Sequence, residues 1–301
     1  MPKTKTIKAA NQPDSRPTLM SRYLLPASAG VLLLVLAGLW FYLSRPAPVV
    51  LTPPPAAIAS VSPKPAPAQM VDEQQCQGCH GAQAKDWQGS HHQLAMQVAE
   101  PQTVLADFNN AAFTGEGESS RFFRQGAEFW VNTPGADGKP ADFKVAYTFG
   151  IAPLQQYLIE VGDGKLQALG VAWDSEKNRW FHLYPGQGVN FKNPLHWSKP
   201  SQNANFMCVE CHTTGYKRNF DATANTFNSQ WNSLGVGCQA CHGPASNHLR
   251  AVTENNPLPH SGFDVDLKNK DATVEIVTCA RCHARRASLG EFDRECASGC
   301  G

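Results

Sequence analysis

The chain has 301 residues, a formal net charge of +1, 42% hydrophobic residues and ten cysteines. That length allows one large or two medium domains. The near-zero charge excludes a nucleic-acid binder held by a basic surface, and the pairing of eight cysteines in short motifs excludes a disulfide scaffold.

Residues 1–23 are polar and basic, with Lys3, Lys5, Lys8, Arg16 and Arg22, and read as a disordered cytoplasmic tail. From Leu24 to Leu43 no residue is charged. Twenty residues at ~1.5 Å each give ~30 Å, the thickness of a bilayer's hydrocarbon, so 24–43 is expected to be a transmembrane helix ending in the belt Trp40, Phe41 and Tyr42. The basic flank precedes the span, which predicts a single-pass inner-membrane protein with its N-terminus in the cytoplasm and the rest in the periplasm. A cleaved signal peptide is the rival reading, with Ala57-Ile58-Ala59 as the best cleavage site, but that site lies far beyond the apolar run. Residues 44–71 hold eight prolines and read as an extended tether, with a weaker reading as a ligand for a polyproline-recognising module.

Cys76-Gln77-Gly78-Cys79-His80 is the first of four C-x-x-C-H motifs. The others are Cys208-Val209-Glu210-Cys211-His212, Cys238-Gln239-Ala240-Cys241-His242 and Cys279-Ala280-Arg281-Cys282-His283. This is the signature of covalent c-type haem attachment: the two thiols add across the vinyl groups as thioethers, and the histidine becomes the proximal iron ligand. About 0.01 such motifs are expected by chance from the chain's own Cys and His frequencies. Structural zinc and a redox pair fit less well, because zinc sites vary the place of their histidines and redox pairs need none. Four haem c groups are therefore expected, with His80, His212, His242 and His283 as proximal ligands. Their propionates would take the net charge to about −7 if all were ionised, and Arg281, Arg285 and Arg286 are read as propionate partners.

Six histidines are left over for the distal positions. His91 and His92 follow Trp87-Gln88-Gly89-Ser90 on a segment, continuing through Leu94, Ala95 and Met96, that reads as a short helix; His92 is the preferred ligand. Residues 120–184 then change character. The runs Arg121–Val131, Asp142–Phe149, Leu154–Val161, Lys165–Trp173 and Arg179–Tyr184 are rich in β-branched and aromatic residues and separated by turn clusters, which predicts an antiparallel meander of four or five strands. Phe143, Val145, Tyr147 and Phe149 alternate with polar or small residues, the period of a half-buried strand. The last strand presents His182. His196 lies in the loop-like stretch 185–207, and 216–237 reads as irregular with Phe220, Phe227 and Trp231 as anchors. Pro244 stops the third motif from continuing as one helix and frees the next segment to aim His248 at another iron. His260, in a Pro-flanked loop, is the weakest candidate.

On Cys238 through Pro244, Trp87 through Met96, Tyr147-Thr148-Phe149-Gly150, Pro153 through Tyr157 and Trp180 through Pro185, the sequence resembles a group of multihaem c-type cytochromes. Their haem domain is similar to the tetrahaem carriers of hydroxylamine oxidation, and longer members continue into tetratricopeptide repeats. The resemblance covers about 72–292. It implies a mostly irregular fold with short helices around closely packed haems, periplasmic location, bis-histidine ligation at most irons, and distal ligands among His92, His182, His196 and His248. The tail at 293–301 departs from it: Cys296 and Cys300 have C-x-x-x-C spacing without a following histidine, so they form no fifth haem site. A truncated or frame-shifted end is favoured over a terminal disulfide.

The expected fold is thus a mostly irregular multihaem cytochrome over 72–292, with a β-meander at about 120–184 and one N-terminal transmembrane helix. The expected function is single-electron transfer between a membrane donor and a periplasmic acceptor, with redox proteins at or near the membrane as partners and no nucleic acid. No catalytic residues are needed for it. The alternatives are a multihaem reductase of small nitrogen or sulfur compounds with one open iron, and a structural haem module that docks partners.

Overall fold

The computed structural model describes residues 34–40, 42–44, 66–268 and 272–284. Residues 34–40 and 42–43 are helical. The run 34–40 reaches about 10 Å at about 1.5 Å per residue, against about 30 Å of hydrocarbon, and among the described residues no helix is long and apolar enough to cross a membrane. This corrects the expected inner-membrane anchor over 24–43 and the localisation built on it; residues 24–33 and 41 lie outside the described residues, as do most of the proline-rich linker (45–65), Arg285, Arg286, Cys296 and Cys300.

Pro63–Gly301 forms one compact unit, and its centre is a sheet. Nine strands pair antiparallel: β1 (Met96–Val98), β2 (Ala111–Gly115), β3 (Glu118–Gln125), β4 (Glu128–Pro134), β5 (Pro140–Phe149), β6 (Leu154–Glu160), β7 (Leu166–Ala168), β8 (Val171–Asp174) and β9 (Arg179–His182). The order is β2-β3-β4-β5-β6-β8-β9, with β1 added to β5 and β7 to β6. Strands β2 and β9 also approach each other, so the sheet curls into a nearly closed, barrel-like shape. The expectation of a mostly irregular, helix-lined fold is corrected accordingly: the sheet supplies most of the protein's own core.

Turn chemistry explains the extra strands. Glu116 and Gly117 both have positive φ, 55° and 83°, the mirror-image two-residue turn whose twist suits a hairpin, and it joins β2 to β3. Gly126, at φ 61°, lets the chain reverse inside what reads in sequence as one run, Arg121–Val131, and splits it into β3 and β4. Gly89, at φ 75°, ends the helical stretch after Trp87, so Met96 opens a strand instead of closing a helix.

Strand β5 changes register between Val145 and Tyr147, and the strict alternation expected of it stops there: Thr148 and Phe149 are both buried. The break separates two cores. One gathers Phe108, Phe122, Phe129, Val131, Val145, Tyr157, Ile159 and Trp173. The other gathers Met96, Phe149, Leu158, Leu166, Ala204 and Val209. Tyr157 and Ile159 face the first and Leu158 the second, so β6 is buried on both sides. Each such side chain contributes about 1.5–3 kcal/mol on burial. The second core matters for function, because Val209 belongs to the second C-x-x-C-H motif.

Short helices carry the motifs: α1 (Gln74–Gln77), α2 (Gly81–Trp87), α3 (Ala204–Met207), α4 (Val209–His212), α5 (Cys238–His242), α6 (Ser246–Thr253) and α7 (Ala272–His283). Between the second and third motifs, the stretch expected to be irregular holds two-residue ladders, Thr213–Thr214 with Ser233–Leu234 and Phe220–Asp221 with Thr226–Phe227.

Candidate haem-binding site

Each C-x-x-C-H motif lies in a helical turn, which puts the cysteines at i and i+3 and the histidine at i+4 on one face. Helices α4 and α5 and the end of α7 present the last three motifs this way; the first runs from α1 to His80, the residue that precedes α2. Burial favours the protonated form of four of the thiols. It pushes Cys208 up to about 11 and is the main cause that raises Cys238 to about 12, with the Glu73 charge second; Cys76 and Cys241 are raised mainly by burial too. Thioether formation consumes the thiol and its proton, so these groups are in the required state.

The motifs are held against one another by specific bonds. Glu73, just before the first motif and buried, accepts the Cys238 N–H at 3.0 Å and the Gln239 N–H and Nε2–H at 3.3 Å each. Gln239 accepts the Val71 N–H at 2.9 Å and donates to the Val71 carbonyl at 2.7 Å, so the last residues of the expected tether are fixed to the third motif. An oxygen of Glu73 and the sulfurs of Cys76 and Cys238 lie within 4.8 Å of one another. Arg281, inside the fourth motif, donates from Nη2 to the Ala240 carbonyl of the third at 2.5 Å, and the Arg281 carbonyl is 3.9 Å from Cys211 Sγ of the second. The first motif thus adjoins the third, and the fourth adjoins both the third and the second.

The histidines fall into three groups. In the first, rings face each other in pairs. His80 and His248 have centroids 6.3 Å apart at 34°, and His92 and His283 are 6.1 Å apart at 73°. With metal–nitrogen bonds of about 2 Å and each ring centre about 1.1 Å behind its nitrogen, two imidazoles on opposite sides of one metal have centroids about 6.3 Å apart. His248 donates from Nδ1 to the Ser261 carbonyl at 2.7 Å and stacks on Phe263 at 4.5 Å. That bond fixes the tautomer and leaves Nε2 with its lone pair for a metal.

In the second group, rings are oriented by other contacts. His212 donates from Nδ1 to the Ala95 carbonyl at 2.8 Å and stacks on Phe149 at 4.5 Å; again Nε2 is the free base. Burial lowers its basicity, and that of His242. His242 lies 5.8 Å from the Phe263 ring. These two C-x-x-C-H histidines face aromatic rings.

The third group belongs to other surroundings. Both nitrogens of His196 are engaged, Nδ1 with Ser198 Oγ at 2.9 Å and Nε2 with Glu118 at 3.1 Å, so it offers no lone pair to an iron. His182 accepts the Tyr184 N–H at Nδ1 and sits among Glu116, Glu118 and Gly170 at the sheet's edge. His260 pairs with Asp266 at 3.1 Å. His91 is exposed next to His92. Of the sequence candidates, then, the structure brings His248 and His92 to C-x-x-C-H histidines and gives His182, His196 and His260 other partners.

The surroundings suit a large apolar plate. Met207, beside the second motif, is 62% exposed, and Ile276, on the helix that carries the fourth, is 64% exposed. The helices α1, α2 and α7 bury none of their residues. With paired thiols, paired imidazoles and apolar flanks together, the residues fit haem c.

The chain matches the family model described as cytochrome c554 and c-prime. The match covers residues 75–119 and 180–243, which hold the first three motifs and His92 and leave most of the sheet and the fourth motif outside. It supports a c-type cytochrome with covalently bound haem and a part in electron transport. Among solved structures, the outer cell wall cytochrome OcwA is similar at 17% identity and a TM-score of 0.46, over 73% of this chain and 38% of that one. The undecaheme cytochrome from the S-layer of Carboxydothermus ferrireducens is similar at 19% identity and a TM-score of 0.40, over 73% of this chain and 26% of that one. The chain spans well under half the length of either. No curated protein sequence matches it significantly.

The residues that sequence reasoning missed are the ones that join motifs: Glu73, Gln239, Phe149, Phe263 and the carbonyls of Ala95 and Ser261. Glu73 alone carried a signal, a carboxylate three residues before a cysteine pair; the others act through contacts far along the chain.

Proposed function

We propose that the chain is a tetrahaem electron carrier of the kind that its resemblance to the carriers of hydroxylamine oxidation implies, passing single electrons between redox proteins. The observation that carries this is the chain of adjoining motifs, first to third to fourth to second, closed at two points by facing imidazoles. Bound haem c supplies one-electron chemistry at iron. The protein's part is to hold, space and shield.

His80 with His248, and His92 with His283, are placed to close an iron from both sides and deny it to small ligands. Phe149 and Phe263 hold the rings of His212 and His248, and the Ala95 and Ser261 carbonyls fix which nitrogen faces the metal. Cys76 and Cys238, thioether anchors of separate haems in this reading, bring two attachment edges within 4.8 Å. Short edge distances of that kind make electron exchange fast without any moving part.

Mass spectrometry of the mature protein tests the count: four haem additions support the reading, and fewer overturn it. A reductase with an open iron remains the second reading, favoured by one observation: His212 and His242 face aromatic rings, where His80 and His283 face histidines. Carbon monoxide titration of the reduced protein separates the two. Uptake with concurrent turnover of a nitrogen or sulfur oxyanion favours the enzyme, and absence of turnover favours the carrier.

A further inference from the structure

The redox centres of a carrier need an order of potentials, and the junction of the first and third motifs holds a charge able to set one. Glu73 is buried. Its oxygens accept from three neutral N–H donors, those of Cys238, Gln239 and the Gln239 amide, so its charge is oriented and not cancelled. One of its oxygens lies within 4.8 Å of both sulfurs that flank it, those of Cys76 and Cys238, and its charge raises both thiols. The opposite charge stands at the other junction, where Arg281 lies inside the fourth motif, touches the third and acts on Cys241.

A buried anion next to an iron stabilises Fe(III) over Fe(II) and lowers its potential. At an effective dielectric of about 20, a unit charge within roughly 10 Å of a redox centre changes its reduction equilibrium by about tenfold, which is about 59 mV for one electron.

Resting on the four-haem reading above, we propose that Glu73 holds the irons of the first and third motifs at lower potential than those of the second and fourth, so that electrons enter at the first motif and leave through the fourth. Each transfer moves one electron and no proton between adjoining motifs: Fe(II) at the first becomes Fe(III) as Fe(III) at the third becomes Fe(II), and the third passes its electron to the fourth in the same way. A reduced one-electron carrier protein supplies the electron and an oxidised one removes it.

Glu73→Gln keeps an acceptor oxygen towards the third motif and removes the charge, whereas Glu73→Asp keeps the charge and shortens the arm. Spectroelectrochemical titration of the four-haem protein reads the outcome. In Glu73→Gln the two most negative of the four one-electron steps move to more positive potential by about tenfold in equilibrium constant, and in Glu73→Asp they move far less. If no step moves, if the two most positive steps move instead, or if Glu73→Asp moves the steps as far as Glu73→Gln, the role of Glu73 is overturned while the carrier stands. Fewer than four haems by mass in the wild-type protein overturns both.

Discussion

Replacing His248 by alanine tests the facing-ring geometry directly. The ring is held by a 2.7 Å bond from Nδ1 to the Ser261 carbonyl and by stacking on Phe263 at 4.5 Å. The bond contributes about 0.5–1.5 kcal/mol and the stacking about 0.5–1.5 kcal/mol. Together these favour the ring's placement opposite His80 by about 1–3 kcal/mol, a factor of about 5–150 in population, so an exogenous ligand has to compete with a ligand already in position. His248→Ala removes that competitor and, in the proposed four-haem assembly, leaves the iron at the first motif open on one side. Carbon monoxide uptake by the reduced protein, followed in the Soret region, then rises by one equivalent per chain, and His92→Ala adds one equivalent at the iron held by His283. His196→Gln is the control, because both nitrogens of His196 are occupied by Ser198 and Glu118, and it adds none. An unchanged stoichiometry in His248→Ala, or an equal gain in His196→Gln, would refute the assignment.

Three further outcomes follow from the packing. His196 is almost fully buried and its basicity is lowered to about 4, chiefly by burial; since the unfolded chain binds the proton at about 6.5, stability is fully present above that pH and falls between about 6.5 and 4, by at most about 3 kcal/mol. Burial raises Glu118, whose easier protonation offsets part of that loss, so urea melts at pH 7 and pH 5 show a slope that His196→Gln reduces. Gly235, at φ 73°, would place a Cβ 2.1 Å from the Gln93 carbonyl; Gly235→Ala forces this strand away from His92, whose carbonyl accepts the Val236 N–H at 2.8 Å, and is expected to cost about 3 kcal/mol or more in a denaturant melt and to raise carbon monoxide uptake at the fourth motif. Val209→Ala opens a cavity between the sheet and the second motif, where Val209 is fully buried. It lowers stability by about 2–3 kcal/mol without changing haem count, a pair of readings that thermal unfolding and mass spectrometry give together.

What sequence revealed and what it hid divide along a physical line. Thioether chemistry demands two cysteines and a histidine in one helical turn, so the four motifs are local and legible. Distal ligation demands only that a ring arrive from the far side, and His248 meets His80, and His92 meets His283, across most of the domain. No periodicity encodes that. His248 stood out because Pro244 breaks its segment away from the preceding helix, and His92 was preferred only slightly over its neighbour His91, whereas His182 and His196 have equally suggestive settings and lie against Tyr184, Ser198 and the carboxylate of Glu118. The sheet was seen only in part for a related reason. Its alternation is plain in Phe143 to Phe149, yet the turns at Glu116-Gly117 and at Gly126 lack the asparagine or proline that marks a reversal, and the bulge after Val145 lets one strand serve two cores. The apolar run at 24–43 has the composition of a membrane span, but the helical residues described there are too few to make one.

The crossed pairing of histidines also bears on how the polypeptide comes to be permanent. In the proposed assembly one iron joins His80 to His248 and another joins His92 to His283, closing overlapping loops of about 170 and 190 residues. Treated as crosslinks on a flexible chain, loops of that length remove about 5 kcal/mol of unfolded-state entropy each. Loss of either axial contact therefore does more than open an iron: it releases one of the two constraints that tie the ends of the domain together, and the small helices that carry the cofactors, which bury so little of themselves, depend on both for their place.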